Sequence, residues 1–502
     1  MKTPSEPEHT RGLDVSKMSA FAKWNLQFIG GQWREGRSQT VYTDQNPYNE
    51  STLVQIRLAS AEDVDQAYRA AKEAQQEWEA VNAYQKVAVM EKAAELLKER
   101  REEIIRILIE ENGASHLKAN IEADAAMGIL KEAATFPLRM QGKIMPSVIP
   151  GKENRIYHKP AGVAGIISPF NFPFHLTMRS LAPALAAGNG VVLKPDQQTM
   201  ISGGLFLGKL FDDAGIPKGL LNVTVCRSAE IGDAFVEHPI PRIISFTGST
   251  PVGRHIGELC GKHLKRVALE LGGNNVMLVL KDADIERAAG SAAFGKFLNS
   301  GQICMSLNRI IVERPAYEGF VKAFVERASR LKYGDPRDKD VVVGPLINHR
   351  QVERIQKLID QSLAAGAQYA LQGKVEGNVF APTILTHVTN DMPIAQEEIF
   401  GPAVGVIVVD SEEEAIRVAN DSEYGLSGAV HAGSIEHGVE VAKQIETGMI
   451  HVNDQGVNDE PIVAFGGEKA SGLGRYGGEW ALHEFTTVKW ISVQLQPREY
   501  PF

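Results

Sequence analysis

The sequence predicts an α/β protein built on two mostly parallel sheets with helices on both faces. Three observations carry this. From residue 160 onward short apolar runs recur, with helical stretches between them. The runs are apolar at nearly every position rather than at alternate ones, the pattern of strands buried on both faces. After residue 273 a second series of the same kind begins.

The elements follow in order. Residues 1–24 are polar at the start and are expected to form a tail. Residues 28–55 are punctuated by Gly, Asn and Pro and read as short strands and turns. From Met90 the apolar residues Met90, Ala93, Ala94, Leu97, Ile104, Ile105 and Leu108 recur at helical spacing, with a stop at Asn112 and Gly113. The first α/β series places strands at 163–167, 191–193, 221–225, 243–246 and 267–271, and helices at 177–187 and 203–214. The second places strands at 276–280, 309–312 and 406–409. Residues 490–495 read as an extended strand that pairs outside its own domain.

Composition narrows the function. The chain has 502 residues, is 43% hydrophobic and 23% charged, and carries a net charge of −9. These are soluble globular proportions. The negative balance argues against nucleic acid or an anionic membrane as main partner, and no apolar run approaches the roughly 20 residues of a membrane span. The first residues lack the apolar stretch of a secretory leader, so none is expected. Three cysteines, Cys226, Cys260 and Cys304, without a CxxC spacing, point to a reducing cytoplasm rather than to disulfides or zinc. No histidine spacing suggests a metal, and none is expected.

Four stretches carry chemistry. GLGRYG at 472–477 matches GxGxxG, but no strand precedes it and too little chain follows, so it reads as a turn. IISFTGSTPVG at 243–253 is a strand, a turn and a helix start. Ser249 or Thr250 can cap that helix and Pro251 suits its first turn, leaving backbone N–H groups for a pyrophosphate. LNSGQICMS at 298–306 presents Cys304 between a glycine and a strand, where it is either a packing thiol or a nucleophile; Cys226 and Cys260 read as packing residues. In RVALELGGNN at 266–275, Glu270 ends an apolar strand before two glycines, as a solvent-reaching strand end or as a buried functional carboxylate. PFNFP at 169–173 is a stiff turn that presents the Asn171 amide.

Taken together, PFNFP, LKP at 193–195, FTGSTPVG, LELGG at 269–273, GQIC at 301–304, EEIFGP at 397–402 and FGGEKASG at 465–472 resemble the NAD(P)-dependent aldehyde dehydrogenase superfamily in order and spacing, from about residue 28 to the end. The resemblance implies two Rossmann-like α/β domains and a small β oligomerisation arm. By it, 25–140 and 160–272 are the cofactor-binding domain, 273–470 the catalytic domain, and 141–159 with 471–502 the arm of a homodimer or homotetramer. It implies Cys304 as the nucleophile, Asn171 as an oxyanion donor and Glu270 as the base that activates water, with Gly272 and Gly273 expected to let the backbone turn there. It implies a dinucleotide site of Ser168, Pro169, Lys194, Gln197, Gly248, Ser249, Leu271, Gly272, Glu398 and Phe400. Glu270 also favours hydrolysis over transfer of the acyl group to coenzyme A.

The chain departs from the family in three places. Gln197 replaces a glutamate that repels a 2′-phosphate, so NAD and NADP are both expected to serve. Ser180 replaces a lysine and Thr487 a glutamate that together help relay the base's proton, so no relay is carried over. Arg179 is new beside Ser180 and is expected to pair with a carboxylate or to line a substrate tunnel. MRSLAPALAAGN at 178–189 and HVNDQGVNDEP at 451–461 resemble members that act on benzaldehyde and vanillin, with Phe172, Phe174, Met178, Ile303 and Phe465 as expected apolar lining. An aliphatic aldehyde or semialdehyde, or a cofactor-free thiol esterase activity, stands as the alternative.

Overall fold

The computed structural model describes residues 21–502. Most of the expected tail lies outside the described residues. Its last residues are packed rather than loose: Ala22–Trp24 is a 3-10 turn whose buried Trp24 ring lies 6.1 Å from Phe206.

Two sheets dominate. The first has eight strands in the spatial order Gln32–Arg34, Gln27–Ile29, Leu221–Val223, Gly190–Lys194, Val163–Ile167, Ile243–Thr247, Arg266–Glu270, Gly472–Leu473. Its five central strands are parallel. The second has seven, in the order Gln368–Leu371, Thr383–Thr386, Ala403–Val409, Leu307–Glu313, Asn275–Val279, Gly428–His431, His451–Val452. Asn275–Val279 and Leu307–Glu313 are buried at every position, which explains the apolar runs Val276–Val279 and Ile310–Val312 within them. In the first sheet the strand order reverses between Val163–Ile167 and Ile243–Thr247. Open α/β sheets bind ligands at such a point, outside the carboxyl ends of the strands.

The helical expectations need two corrections. The stretch from Met90 is two helices, Ala83–Glu99 and Arg101–Asn112, broken at Arg100; the second stops at Gly113, whose φ of 73° suits glycine. The 203–214 helix is a π turn, Ile201–Leu205, followed by Phe206–Ala214. Glu111 accepts from the Ile201 and Ser202 amides at 2.7 and 2.8 Å, which ties this turn to the end of the preceding helical layer.

A three-stranded antiparallel sheet stands apart, made of Lys143–Pro146, Lys152–Pro160 and Thr486–Gln494. Residues 471–485, expected in this arm, are elsewhere. Gly472–Leu473 pairs with Arg266–Glu270 in the first sheet, and Gly478–Glu484 is a helix. Gly472 must be glycine there, because a Cβ would sit 2.1 Å from the Leu269 carbonyl oxygen. No helix among the described residues is long and apolar enough to cross a membrane.

Candidate active site

At the carboxyl ends of the first sheet's strands lies a cavity of about 670 Å³. Asn171, Glu270 and Cys304 line it together. So do Ser168, Pro169, Lys194, Gly248, Ser249, Leu271, Gly272, Glu398 and Phe400. Gln197 does not line it. Its neighbour Asp196 does, while its own side-chain nitrogen is buried without a hydrogen-bond partner.

Cys304 follows a strained loop. Asn299, Ser300 and Gly301 have φ of 50°, 55° and 70°, three left-handed residues in succession. Only glycine fits at 301, where a Cβ would meet the Gly401 carbonyl oxygen at 2.2 Å. The loop is held by side chains. Asn299 Nδ2 donates to the Asn171 carbonyl at 3.1 Å, and Ser300 Oγ to that of Gly344 at 2.8 Å. Asn275 Nδ2 donates to the Cys304 carbonyl at 2.7 Å. The Cys304 loop is thus fastened both to the PFNFP turn and to the LELGGNN segment.

The expectation that the two glycines after Glu270 serve a turn is corrected. Neither has a positive φ. They permit close approach instead: a Cβ on Gly272 would lie 2.6 Å from Glu398 Oε2, and one on Gly273 2.6 Å from the Cys304 carbonyl oxygen. The Gly273 amide donates to Glu398 Oε1 at 3.1 Å. The two motifs are therefore pressed against each other at the floor of the cavity.

Glu270 is 3% exposed. Burial pushes its carboxyl up to about 8, opposed chiefly by Arg179. Arg179 Nη2 lies 3.6 Å from Glu270 Oε2, and Arg179 Nη1 donates to Asp459 Oδ2 at 3.1 Å. The guanidinium is buried between the rings of Phe465 and Tyr476, 4.1 and 5.0 Å from their centroids. Its pairing with a carboxylate, expected from sequence, is present. His175 Nε2 also stands 3.3 Å from Asp459 Oδ2, and burial lowers the pKa of this imidazole. The Cys304 thiol is pushed up to about 12 by burial, with Arg179 pulling the other way. Glu398 is raised to about 7, again by burial.

The dinucleotide end fits the residues present. Ser249 is the N-cap of the Thr250–Lys262 helix but makes no side-chain cap bond, and Thr250 Oγ1 turns away to the Ala470 carbonyl at 3.3 Å. Neither caps as expected, and Pro251 is the second helical residue. That helix start therefore faces the cavity uncapped by side chains, as an anion site requires. Phe400, with φ of 49°, stands edge-on to Phe170 at 5.8 Å.

Three further expectations change. Thr487 is exposed in the arm, paired with Lys159, not near Glu270. Beside Ser180 stand Ser245 and Tyr476 instead: Ser180 and Ser245 hydroxyls are 2.9 Å apart, and Ser245 bonds the Tyr476 hydroxyl. Phe172, Phe174, Met178, Ile303 and Phe465 are packed in the core and do not line the cavity. Asp459, His175 and Tyr476 are not legible in the sequence because single polar residues carry no spacing signal; their meaning arises only where segments distant in sequence meet.

This fold and site define a dehydrogenase architecture, with a cysteine and a buried carboxylate in one cleft at the carboxyl ends of the first sheet's strands. The chain belongs to the aldehyde dehydrogenase family, whose sequence model matches residues 33–491. It is 55% identical to the benzaldehyde dehydrogenase of Bacillus subtilis (strain 168) over 97% of this chain and 100% of that one. Among solved structures, it resembles an NAD-dependent benzaldehyde dehydrogenase from Corynebacterium glutamicum at 44% identity, with a TM-score of 0.88 over 97% of this chain and 100% of that one. It also resembles a salicylaldehyde dehydrogenase from Pseudomonas putida G7 complexed with salicylaldehyde, at 35% identity and a TM-score of 0.92 over 95% and 99%.

Proposed function

We propose that this protein oxidises aromatic aldehydes of the benzaldehyde and vanillin type to carboxylic acids, with NAD or NADP as hydride acceptor. The observation that carries this is the convergence of Cys304, Glu270 and Asn171 in one cavity with the uncapped helix start at Ser249. The names of the relatives support the aromatic substrate.

The chemistry follows from the residues. A buried thiol at about 12 needs a base to act as nucleophile, and Glu270 lines the same cavity with a carboxyl raised to about 8. As Cys304 Sγ adds to the carbonyl carbon, its proton passes to Glu270. The new oxyanion is received by the Asn171 side-chain amide and the Cys304 backbone N–H, each such donor stabilising the transition state by about 2.7–4 kcal/mol. The bound dinucleotide supplies the hydride acceptor, and a thioester remains on Cys304. Glu270, its proton released to solvent, then takes a proton from the water that hydrolyses the thioester. Lys194, Glu398 and the Ser249 and Thr250 backbone amides would hold the dinucleotide, and neutral Gln197 would not repel a 2′-phosphate.

In the same reading, 25–140 and 160–272 bind the dinucleotide and 273–470 supplies the nucleophile. The three-stranded arm joins copies of the chain into a dimer or tetramer. Val488, Trp490 and Ile144 support this, being 58, 65 and 71% exposed on that small sheet.

The test is NAD(P)H formation at 340 nm with benzaldehyde, vanillin, hexanal and succinic semialdehyde, beside Cys304→Ala. Aromatic aldehydes should lead by tenfold or more in kcat/KM, about 1.4 kcal/mol of transition-state preference. Preference for hexanal or the semialdehyde would remove the aromatic assignment, and activity retained by Cys304→Ala the mechanism.

A further inference from the structure

A buried ion pair lies behind the PFNFP turn. Lys118 and Glu122, one turn apart at the start of the His116–Ala134 helix, are both fully buried and 2.5 Å from each other. Lys118 Nζ also donates to Asn112 Oδ1 at 2.6 Å and stands 4.5 Å over the Phe172 ring. Asn112 Nδ2 donates to the Phe170 carbonyl at 2.7 Å. Glu122 Oε1 accepts from the Phe174 and His175 amides, at 2.9 and 3.2 Å. Those amides open the Pro173–Ala186 helix and have no partner within it.

The contacts alternate along the chain. The Phe170 carbonyl, the Phe172 ring and the Phe174 amide are each held by this one cluster, and the carbonyl of Asn171 between them is held by Asn299. A pair of apolar side chains would fill the same space without the desolvation of two charges. It could not accept from the helix start or hold the turn before it. The cost of burying the pair is matched by a function that needs a fixed turn.

We propose that Lys118 and Glu122 are positioning residues that aim the Asn171 amide at the reacting carbonyl oxygen. The inference rests on Asn171 being an oxyanion donor, as proposed above. A hydrogen bond that exists only in the transition state is sensitive to small displacements, so loosening the turn lowers kcat more than it raises KM.

The experiment is a double-mutant cycle between Glu122→Gln and Asn171→Ala, read as kcat and KM with benzaldehyde, with NADH binding and melting temperature as controls. Glu122→Gln leaves the buried Lys118 ammonium without its counter-ion, which loosens the cluster, and should lower kcat by about 10- to 100-fold with KM within about threefold. In the Asn171→Ala background the same change should alter kcat by less than about twofold, since the donor it aims is gone. Where Glu122→Gln strands the Lys118 charge and fails to fold, the paired variants replace it. Lys118→Met with Glu122→Gln keeps the acceptor and should recover turnover to within about fivefold of wild type. Lys118→Met with Glu122→Leu lacks the acceptor and should stay about 10- to 100-fold slow. Equal losses in both Asn171 backgrounds, or wild-type kcat in a folded Lys118→Met, Glu122→Leu protein, overturn the positioning role. Undiminished turnover in Asn171→Ala alone overturns the oxyanion assignment itself.

Discussion

Arg179 Nη2 approaches Glu270 Oε2 to 3.6 Å with both side chains buried, and the same guanidinium holds Asp459. Its positive charge lowers the pKa of both the Glu270 carboxyl and the Cys304 thiol, against the burial that raises them. Arg179→Met should therefore raise Glu270 above its value of about 8. The acid limb of the kcat–pH profile should move to higher pH, the sign being fixed by the lost positive charge. Stability should fall by about 3–5 kcal/mol, because the buried Asp459 carboxylate loses its partner. A limb that stays in place, or moves down, would show that Glu270 is not the group being titrated.

Glu270→Gln should separate the two halves of the reaction. Steady-state turnover should drop about 10²- to 10⁴-fold, while a slowed first turnover still releases NADH and leaves an acyl adduct on Cys304. Intact-protein mass spectrometry after one turnover reads the adduct; its absence contradicts the hydrolytic role. In the wild type kcat should rise with pH through about 8, where the carboxyl loses its proton.

The same shift links to folding. Glu270 is raised from 4.5 to about 8, so the native state keeps a proton that the unfolded chain releases. Its contribution to stability is complete below 4.5 and is lost as pH rises through about 8. Relative to wild type, Glu270→Gln should gain stability between pH 5 and pH 9, measured by urea unfolding. A constant difference across that range would contradict the raised carboxyl.

Gln197→Glu should lower kcat/KM for NADP by about tenfold or more and leave NAD within about threefold. A new carboxylate near the ribose repels a 2′-phosphate, and tenfold corresponds to about 1.4 kcal/mol. Because Asp196 rather than Gln197 lines the cavity, an unchanged ratio would place the discrimination at Asp196.

Val488→Asp combined with Trp490→Asp should shift the particle to a smaller mass in light scattering. The two residues stand on one face of Thr486–Gln494 and are largely exposed in the single chain. An unchanged mass would move the interface away from the arm.

Much of this was legible in the chain. Strands at 163–167, 243–246 and 276–280 were visible because a strand buried on both faces must be apolar throughout. Cys304, Glu270 and Asn171 were legible through motifs whose glycines and prolines have local reasons to exist. Gly301 is fixed by a carbonyl 2.2 Å from where its Cβ would be. Misreadings came where a local pattern had more than one tertiary use. The glycines after Glu270 serve close approach, not a turn, and 471–473 joins the first sheet, not the arm. The apolar residues near the motifs belong to the core.

Sequence by itself determined the class of fold and singled out Cys304, Glu270 and the Ser249 turn as candidates, since each is written in residues close along the chain. Only the tertiary structure decided what surrounds them. Asp459 reaches Arg179 across 280 residues, Tyr476 meets Ser245 across 231, and Glu122 meets the start of the helix after Asn171 across 52. The physical reason is that burial and the pairing of buried charges depend on which distant segments exclude water together. An isolated Lys–Glu pair at 118 and 122 reads in sequence as a solvated helix face; packing alone turned that face inward.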